Sequence, residues 1–569
     1  MDRTAWIAVT LCVLGLVGWE VWVTRQRMLH PAPVIATASP APTIASASPE
    51  LAPTSPSSAS VSPTPAASAF QEKSEVLRNS DLELHLTNRG GGVSEVVLPN
   101  YEAEQGKRVT LNSATQTPIG AIMQNPAAPE LGEWTMARDA SGVTFESKTP
   151  EMTVRKKFSF PAAQEKKDNF VAQLDIDFAN PGAQAAAMPD YFLSVGSSAP
   201  IHRNDYPSFT RLVWYGGKTK GVDVGWFAPS NGFLGINQRA ARPVYQEDLK
   251  ATDWVATSDQ FFTTLIVPLT TKANGVWGRR FEINAATQTY GVEGAMRLPA
   301  FRVDPGQTVS TRYELYLGPK LYHRLSLLEH NEAEVMEFGF FKLISEALLN
   351  ALNTFHSFLG NYAAAILALT ATVKLALWPL QNRANASMRR MQTLNPKMQE
   401  LREKYKDDPT RMNQEVMKLY KEHGVNPVGG CLPMFIQIPI FFGLFTMLRQ
   451  AVELRGASFL WIHDLSQPDT VAHIPGMGWP VNVLPLFMAA TSFWMTYLTP
   501  KSGDPTQQRM MMFTPVIFII FCYNFAAALA LYYTTQNLLT VLQLYVNKRQ
   551  ALPEPVKVTT PAGRPKRRR

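Results

Sequence analysis

The pattern of apolar and polar positions changes character along the 569 residues. From about Phe70 to Lys320 it has a period of two, as in Leu82-Glu83-Leu84-His85-Leu86, in Tyr313, Leu315 and Leu317, and in Phe170, Ala172, Leu174, Ile176 and Phe178 with Gln173, Asp175 and Asp177 between them. Alternate residues of a strand share a face, so short alternating segments separated by turns predict an antiparallel β-sandwich over residues 70–325. Asn88-Arg89-Gly90-Gly91-Gly92 reads as one such turn. Gly217-Lys218-Thr219 reads as another, because Leu212 stands where a phosphate-binding loop needs its first glycine.

The period then becomes helical. Over 338–360, Phe341, Ile344, Leu348, Leu352, Phe355 and Leu359 recur at spacings of three and four, with Lys342, Glu346, Asn350 and Asn353 elsewhere on the wheel. That predicts an amphipathic helix, suited to a membrane surface or to docking on the β-sandwich. Long apolar runs follow at about Tyr362–Leu380, Cys431–Leu448, Val481–Leu498 and Met510–Val546. The last would be about 55 Å long as one helix, against a hydrocarbon core of about 30 Å, so it predicts two spans turning at Asn524. The expected spans are therefore 361–381, 431–449, 481–499, 510–526 and 528–546.

Ahead of the sandwich, Trp6 to Val23 is apolar except for Thr10 and Glu20. At about 1.5 Å per residue it can cross a bilayer, and it exceeds the usual apolar core of a cleaved signal peptide, although Ala36-Thr37-Ala38 has the small-x-small form of a cleavage site. Residues 1–24 are expected to be an uncleaved first span. Residues 25–69 read as an extended linker, since Pro31 to Ala69 holds nine prolines and a single charge, Glu50.

Composition sharpens this layout. Only 18% of residues are charged and 46% are hydrophobic, yet mean hydropathy is near neutral, because a polar domain is averaged with apolar spans. Three cysteines in apolar surroundings exclude a disulfide scaffold, and no Cys/His spacing suggests zinc. Net charge is +4 over 381–430, +1 over 499–509 and +7 over 547–569, whereas the loop 451–480 has one arginine and three acids. Lys/Arg-rich segments stay on the cytoplasmic side, so six spans put both termini inside and residues 25–337 outside.

One ionisable group lies well inside the five C-terminal spans, Lys374. A cation at mid-membrane costs roughly 2.5–3.5 kcal/mol and marks a functional site unless it snorkels to the interface, about 9 Å away. Thr370 is one turn from it, Gln437 lies in the third span, and Tyr533, Gln536, Asn537, Thr540 and Gln543 form a stripe on the last. Polar stripes on several spans fit either a shared wet cavity, attractive to acidic polypeptide, or hydrogen bonds that hold helices together. Residues 382–428 read as a cytoplasmic helical hairpin. Met388, Met391, Leu394, Met398, Leu401 and Tyr405 face Met412, Val416, Leu419 and Tyr420 across a turn at Asp407-Asp408-Pro409, as an adaptable binding face or a coiled-coil seam. The basic tail 551–569 suits anionic lipid or RNA phosphate.

Asn426-Pro427-Val428-Gly429-Gly430-Cys431-Leu432-Pro433, Gln437-Ile438-Pro439-Ile440-Phe441, Trp461-Ile462-His463-Asp464-Leu465 and Leu531-Tyr532-Tyr533, in this order, resemble the YidC/Oxa/Albino membrane protein insertases. The layout resembles the Gram-negative bacterial form. The resemblance implies an α-helical polytopic inner-membrane protein of six transmembrane helices, five forming the insertase core around a hydrophilic groove, with a large periplasmic all-β supersandwich. It implies clients that are nascent membrane proteins, alone or with the Sec translocon, a ribosome or lipid contact through the tail, and no enzymatic activity or cofactor. Lys374 stands where the family commonly has arginine, and Thr370 and Tyr533 match groove positions. The groove is then expected to comprise Lys374, Thr370, Gln437, Tyr533, Gln536 and Asn537. Apolar client segments would slide along Phe435, Phe441 and Phe513 into lipid, and Met388, Met391, Met398 and Met412 of the hairpin would receive them. Many relatives have Pro-Ser-Gly where Asn524-Phe525-Ala526 stands. A proton- or ion-coupled solute transporter is the alternative, but it calls for carboxylates within the spans, and Glu20 alone qualifies. A membrane scaffold for the β domain and a carbohydrate enzyme of the envelope rank lower.

Overall fold

The computed structural model describes residues 70–161, 168–230, 238–424, 432–475, 478–499 and 505–548. The expected first span 1–24, the linker 25–69 and the basic tail 551–569 lie outside them, as do Asn426 to Cys431. The chain forms two compact units, residues 1–318 and 319–569.

In the first unit the alternating pattern becomes sheet. Leu82, Leu84 and Leu86 are buried, as are Phe170, Ala172, Leu174, Ile176 and Phe178, while Gln173, Asp175 and Asp177 stay partly exposed. A nine-stranded sheet runs in the order Thr219–Asp223, Arg211–Tyr215, Trp254–Ser258, Phe262–Pro268, Thr308–Pro319, Val171–Ala179, Thr153–Ser159, Gly142–Lys148, Thr135–Asp139. A five-stranded sheet contains Val244–Thr252, Ala273–Asn284, Thr289–Leu298, Tyr191–Ser198 and Ile122–Met123. Its strands Tyr191–Ser198 and Thr289–Leu298 pack on Trp254–Ser258 of the larger sheet, so the unit is a β-sandwich. Gly278 and Gly294 pair across adjacent strands, and Leu212 of the opposite sheet fills the flat spot they leave. A Cβ on Gly294 would stand 2.6 Å from Leu212 Cδ1, so close sheet approach requires glycine here. Gly217, with φ +78°, turns the chain between Arg211–Tyr215 and Thr219–Asp223, and Gly90 and Gly91 turn it before Gly92–Glu102. Neither stretch opens a helix.

A lysine is sealed inside this sandwich. Lys156 is 0% exposed; its Nζ donates to the carbonyls of Gly90 (2.7 Å) and Gly120 (3.0 Å) and lies 4.1 Å from the Trp134 ring centre. It thus ties two loops to the Thr153–Ser159 strand.

The second unit is helical: α1 (Lys342–Leu359), α2 (Tyr362–Thr393), α3 (Asn395–Lys404), α4 (Pro409–Glu422), α5 (Leu432–Gln450), α6 (Val483–Leu498), α7 (Pro505–Cys522) and α8 (Ala527–Lys548). The α1–α2 corner is written locally. Gly360, at φ +65°, ends α1 with its N–H on the His356 carbonyl, and Asn361 caps α2 by accepting from the Ala364 N–H at 3.1 Å. α1 packs against α2 and α5. Ser345 donates to the Gly443 carbonyl at 2.9 Å, and a Cβ on Gly443 would clash with Ile344 at 2.8 Å, so glycine permits the close crossing. Leu343 and Phe358 remain exposed on the other face of α1.

α2 runs past residue 381, the expected end of its span, without a break to Thr393. The apolar run ends at Leu380 but the residues after it still favour helix, so composition marks the membrane exit and not the helix end. Pro396 lies in the first turn of α3, where the missing N–H is harmless, and the axis changes at Leu394. Asp408 caps α4 by accepting from the Arg411 N–H at 3.0 Å, with Pro409 in the first turn. Across the hairpin Leu394, Met398 and Tyr420 are buried together, with Met391, Val416 and Leu419 against them. Met391 and Met398 are therefore seam residues; Met388 and Met412 are half-buried outside that cluster.

Burial pushes the Lys156 amine well below the ordinary lysine value of 10.5. The unfolded chain then holds this proton more tightly than the folded one, so the Lys156 contribution to stability rises as pH rises toward 10.5. Lys156→Met is expected to destabilise the β unit by about 1–3 kcal/mol by stranding two carbonyls, and to remove that alkaline gain. Urea unfolding of wild type and variant, followed by tryptophan fluorescence at neutral and alkaline pH, checks both effects.

Candidate functional site

The helical unit reverses the usual distribution of side chains. Leu375 on α2, Phe435 and Phe442 on α5, Phe487 and Tyr497 on α6, Ile520 and Phe521 on α7 and Leu542 on α8 are exposed, several to 70% or more. Inside are Thr370, Lys374, Gln536, Asn537, Gln543 and Asn547, each less than a tenth exposed. Apolar surface on this scale is stable in lipid, not in water. Among the described residues α2 is long and apolar enough to cross a membrane, and α6 is a shorter apolar helix.

The polar residues gather where α2 packs on α8. Lys374 is 1% exposed, and its Nζ donates to Gln381 Oε1 at 2.5 Å and Thr540 Oγ1 at 2.9 Å. Below them Gln543 Nε2 and Asn547 Nδ2 both donate to Asn382 Oδ1, at 2.8 and 2.9 Å, and Arg389 donates to the Asn547 carbonyl at 2.7 Å. Lys374 thus leans along α2 toward its C-terminal end, into neutral acceptors, with no carboxylate among its hydrogen-bond partners. Buried atoms on α8 that include Tyr533 Oη, Gln536 Oε1, Gln543 Oε1 and Asn547 Oδ1 have no hydrogen-bond partner among the described residues.

The expected groove residues do not all join this seam. Thr370 is fully buried and its hydroxyl donates to the Ile366 carbonyl of its own helix at 2.6 Å. Asn537 faces α6, donating to Ser492 Oγ at 2.8 Å, Thr491 Oγ1 at 3.2 Å and the Met488 carbonyl at 3.3 Å. One helical stripe on α8 therefore serves two neighbours, because positions 537 and 540 are about 60° apart around the axis and lie on the two edges of the stripe. Gln437 is half-buried on α5. Tyr533 packs its ring on Phe441 (5.6 Å) and Phe518 (5.1 Å), joining the groove position to the apolar path; Phe435 and Phe513 stand exposed on α5 and α7. α5 and α7 themselves pack sparsely, with the Phe441 and Phe518 rings 6.1 Å apart.

Gln381, Asn382, Arg389 and Asn547 lie beyond the apolar runs and were not among the expected site residues. Helical spacing could have found them: Gln381 is seven residues after Lys374, and Asn547 is four after Gln543 and seven after Thr540.

The loop between α5 and α6 closes the opposite end. Asn482 Nδ2 donates to the Tyr523 carbonyl (2.7 Å), and the Ala528 and Ala527 N–H groups at the start of α8 donate to the carbonyls of Leu465 (3.0 Å) and Gln467 (2.8 Å). The chain turns at 523–526 without proline or glycine because this loop supplies the partners that a helix end needs. Asp469 accepts from the Leu484 N–H (2.6 Å) at the start of α6 and from Trp461 Nε1 (3.2 Å). No group of three or more His, Cys, Asp or Glu suited to a metal occurs among the described residues.

Apolar outer faces around a charged, hydrogen-bonded seam, joined in sequence to an all-β domain, define a helical membrane protein with an extramembrane sandwich. Residues 354–554 match the family model described as 60Kd inner membrane protein, and residues 76–351 the one described as YidC periplasmic domain. A Geobacter metallireducens protein named membrane protein insertase YidC is 30% identical over 573 residues, which cover 97% of this chain and 100% of that protein. One of the same name from Syntrophobacter fumaroxidans is 40% identical over 303 residues, 52% of this chain and 54% of the relative, so that match spans about half of its length. A solved structure of an active YidC insertase with its first transmembrane domain resolved is 19% identical, covering 85% of this chain and 94% of that one, with a TM-score of 0.36. The chain belongs to the YidC family of membrane protein insertases. It is an inner-membrane protein, and its β unit is the periplasmic domain.

Asn537→Leu leaves Ser492, Thr491 and the Met488 carbonyl without their shared donor between α8 and α6. It is expected to lower stability by about 0.6–1.7 kcal/mol, read as a fall in the melting temperature of the detergent-solubilised protein.

Proposed function

We propose that this chain, a membrane protein insertase and not an enzyme, inserts clients through the α2–α8 seam, with Lys374 attracting acidic segments of the client from the cytoplasmic side. The observation that carries this reading is the set of buried polar atoms on α8 without hydrogen-bond partners among the described residues, on the helix that also holds the buried cation through Thr540. Groups of this kind are costly in hydrocarbon unless water or a passing polypeptide satisfies them. A client's hydrophilic tail entering here crosses a shortened apolar barrier, and its apolar segment leaves past Tyr533, Phe441 and Phe518, where α5 and α7 pack sparsely, along Phe435 and Phe513 into lipid. Hydrophobic transfer and the membrane potential drive the step, so no nucleotide or metal is called for.

The same reading assigns six spans with both termini cytoplasmic and residues 25–337 periplasmic, from the charge distribution of the loops. Deletion of 384–422 tests the hairpin as the receiving element, with Met388 and Met412 the methionines left outside its packed seam. The insertase works alone or with the Sec translocon, and the basic tail meets ribosome or anionic lipid.

Lys374→Ala is expected to slow insertion of a short-tailed acidic client roughly tenfold, the factor that about 1.4 kcal/mol of lost attraction produces. Protease accessibility of the translocated tail measures it, and undiminished insertion would remove the role given to the charge. Deleting 384–422 should abolish insertion while the remaining spans still reach the membrane; retained activity would dispose of the receiving role.

A further inference from the structure

The Lys374 ammonium has three N–H donors, and two are already engaged. The two acceptors are held very differently. Thr540 donates its own proton to the Gln536 carbonyl at 2.7 Å, which locks its rotamer and aims its lone pairs at the lysine. Gln381 stands two turns after Lys374 on the same helix, is half-exposed, and its side chain has no other hydrogen bond among the described residues. One acceptor is built into the bundle, whereas the other is free to leave.

We propose that Gln381 is a specificity-determining residue: its carboxamide oxygen occupies the place on Lys374 that a client carboxylate takes during insertion, while Thr540 keeps the ammonium in position. Exchange of a neutral oxygen for a carboxylate on a buried cation is favourable, since opposite charges add a Coulomb attraction that a neutral carboxamide lacks. A neutral polar group on the client gains nothing over Gln381 and leaves it in place. Lysine suits this arrangement because it binds acceptors one at a time, unlike the fork of arginine. The inference rests on Lys374 acting on clients as proposed above.

The test uses the full-length protein in proteoliposomes and two clients that differ only by Asp-to-Asn changes in a short tail, reading the ratio of acidic to neutral insertion. Gln381→Glu places a carboxylate permanently beside Lys374 and is expected to lower the ratio about tenfold, toward the value for Lys374→Ala. Gln381→Met keeps the volume but removes the acceptor, and is expected to raise the ratio several-fold. A variant that merely misfolds lowers insertion of both clients and cannot produce shifts of opposite sign. If Lys374→Ala lowers the ratio but the two Gln381 variants leave it unchanged, or both lower it, Gln381 only satisfies the lysine and the inference fails. If Lys374→Ala itself leaves the ratio unchanged, the proposed function fails with it.

Discussion

Hydrocarbon offers no hydrogen-bond partner, and the helical unit is arranged around that constraint at one buried ammonium. Inside the bundle Gln381 and Thr540 present oxygens to Lys374, which offsets the cost of burying its charge. Those two contacts tie it to its own helix and to α8, and the Asn382, Gln543 and Asn547 hydrogen bonds continue the same seam. The apolar side chains are displaced outward, where lipid accepts them.

The periplasmic domain obeys the opposite solvent and provides a useful contrast. Lys156 is buried as completely as Lys374, but its partners are two backbone carbonyls and the face of Trp134. It is a structural staple. Lys374 instead meets neutral side-chain oxygens, one of them on a half-exposed residue. The two lysines are alike in burial and differ in the kind of partner, backbone carbonyls in one and side-chain oxygens in the other.

Closure at the far end comes from a loop. The 451–482 segment offers the Leu465 and Gln467 carbonyls to the first N–H groups of α8 and the Asn482 amide to Tyr523. That explains how the chain reverses at 523–526 with no residue of special backbone freedom. It also shows why the Trp461–Leu465 motif matters physically: its Asp464 accepts from the Ser466 N–H and hydroxyl to shape the turn that presents Leu465. A seam sealed at this end and polar at the other has a direction.

The sequence by itself determined the two-unit plan, because strand alternation and long apolar runs are local patterns that any solvent boundary must respect. It also singled out Lys374 as the ionisable group within an apolar run, and the hairpin turn at Asp407-Asp408-Pro409. Only the tertiary structure decided what the polar residues do. Thr370 bonds to its own helix, Asn537 holds α6, and of the residues past the apolar run Gln381 reaches the charge while Asn382 accepts from Gln543 and Asn547. The reason is geometric. Helical periodicity fixes the face a residue occupies, but which neighbour meets that face depends on the packing of segments distant in the chain, 45 residues apart for Asn537 and Ser492 and 166 for Lys374 and Thr540.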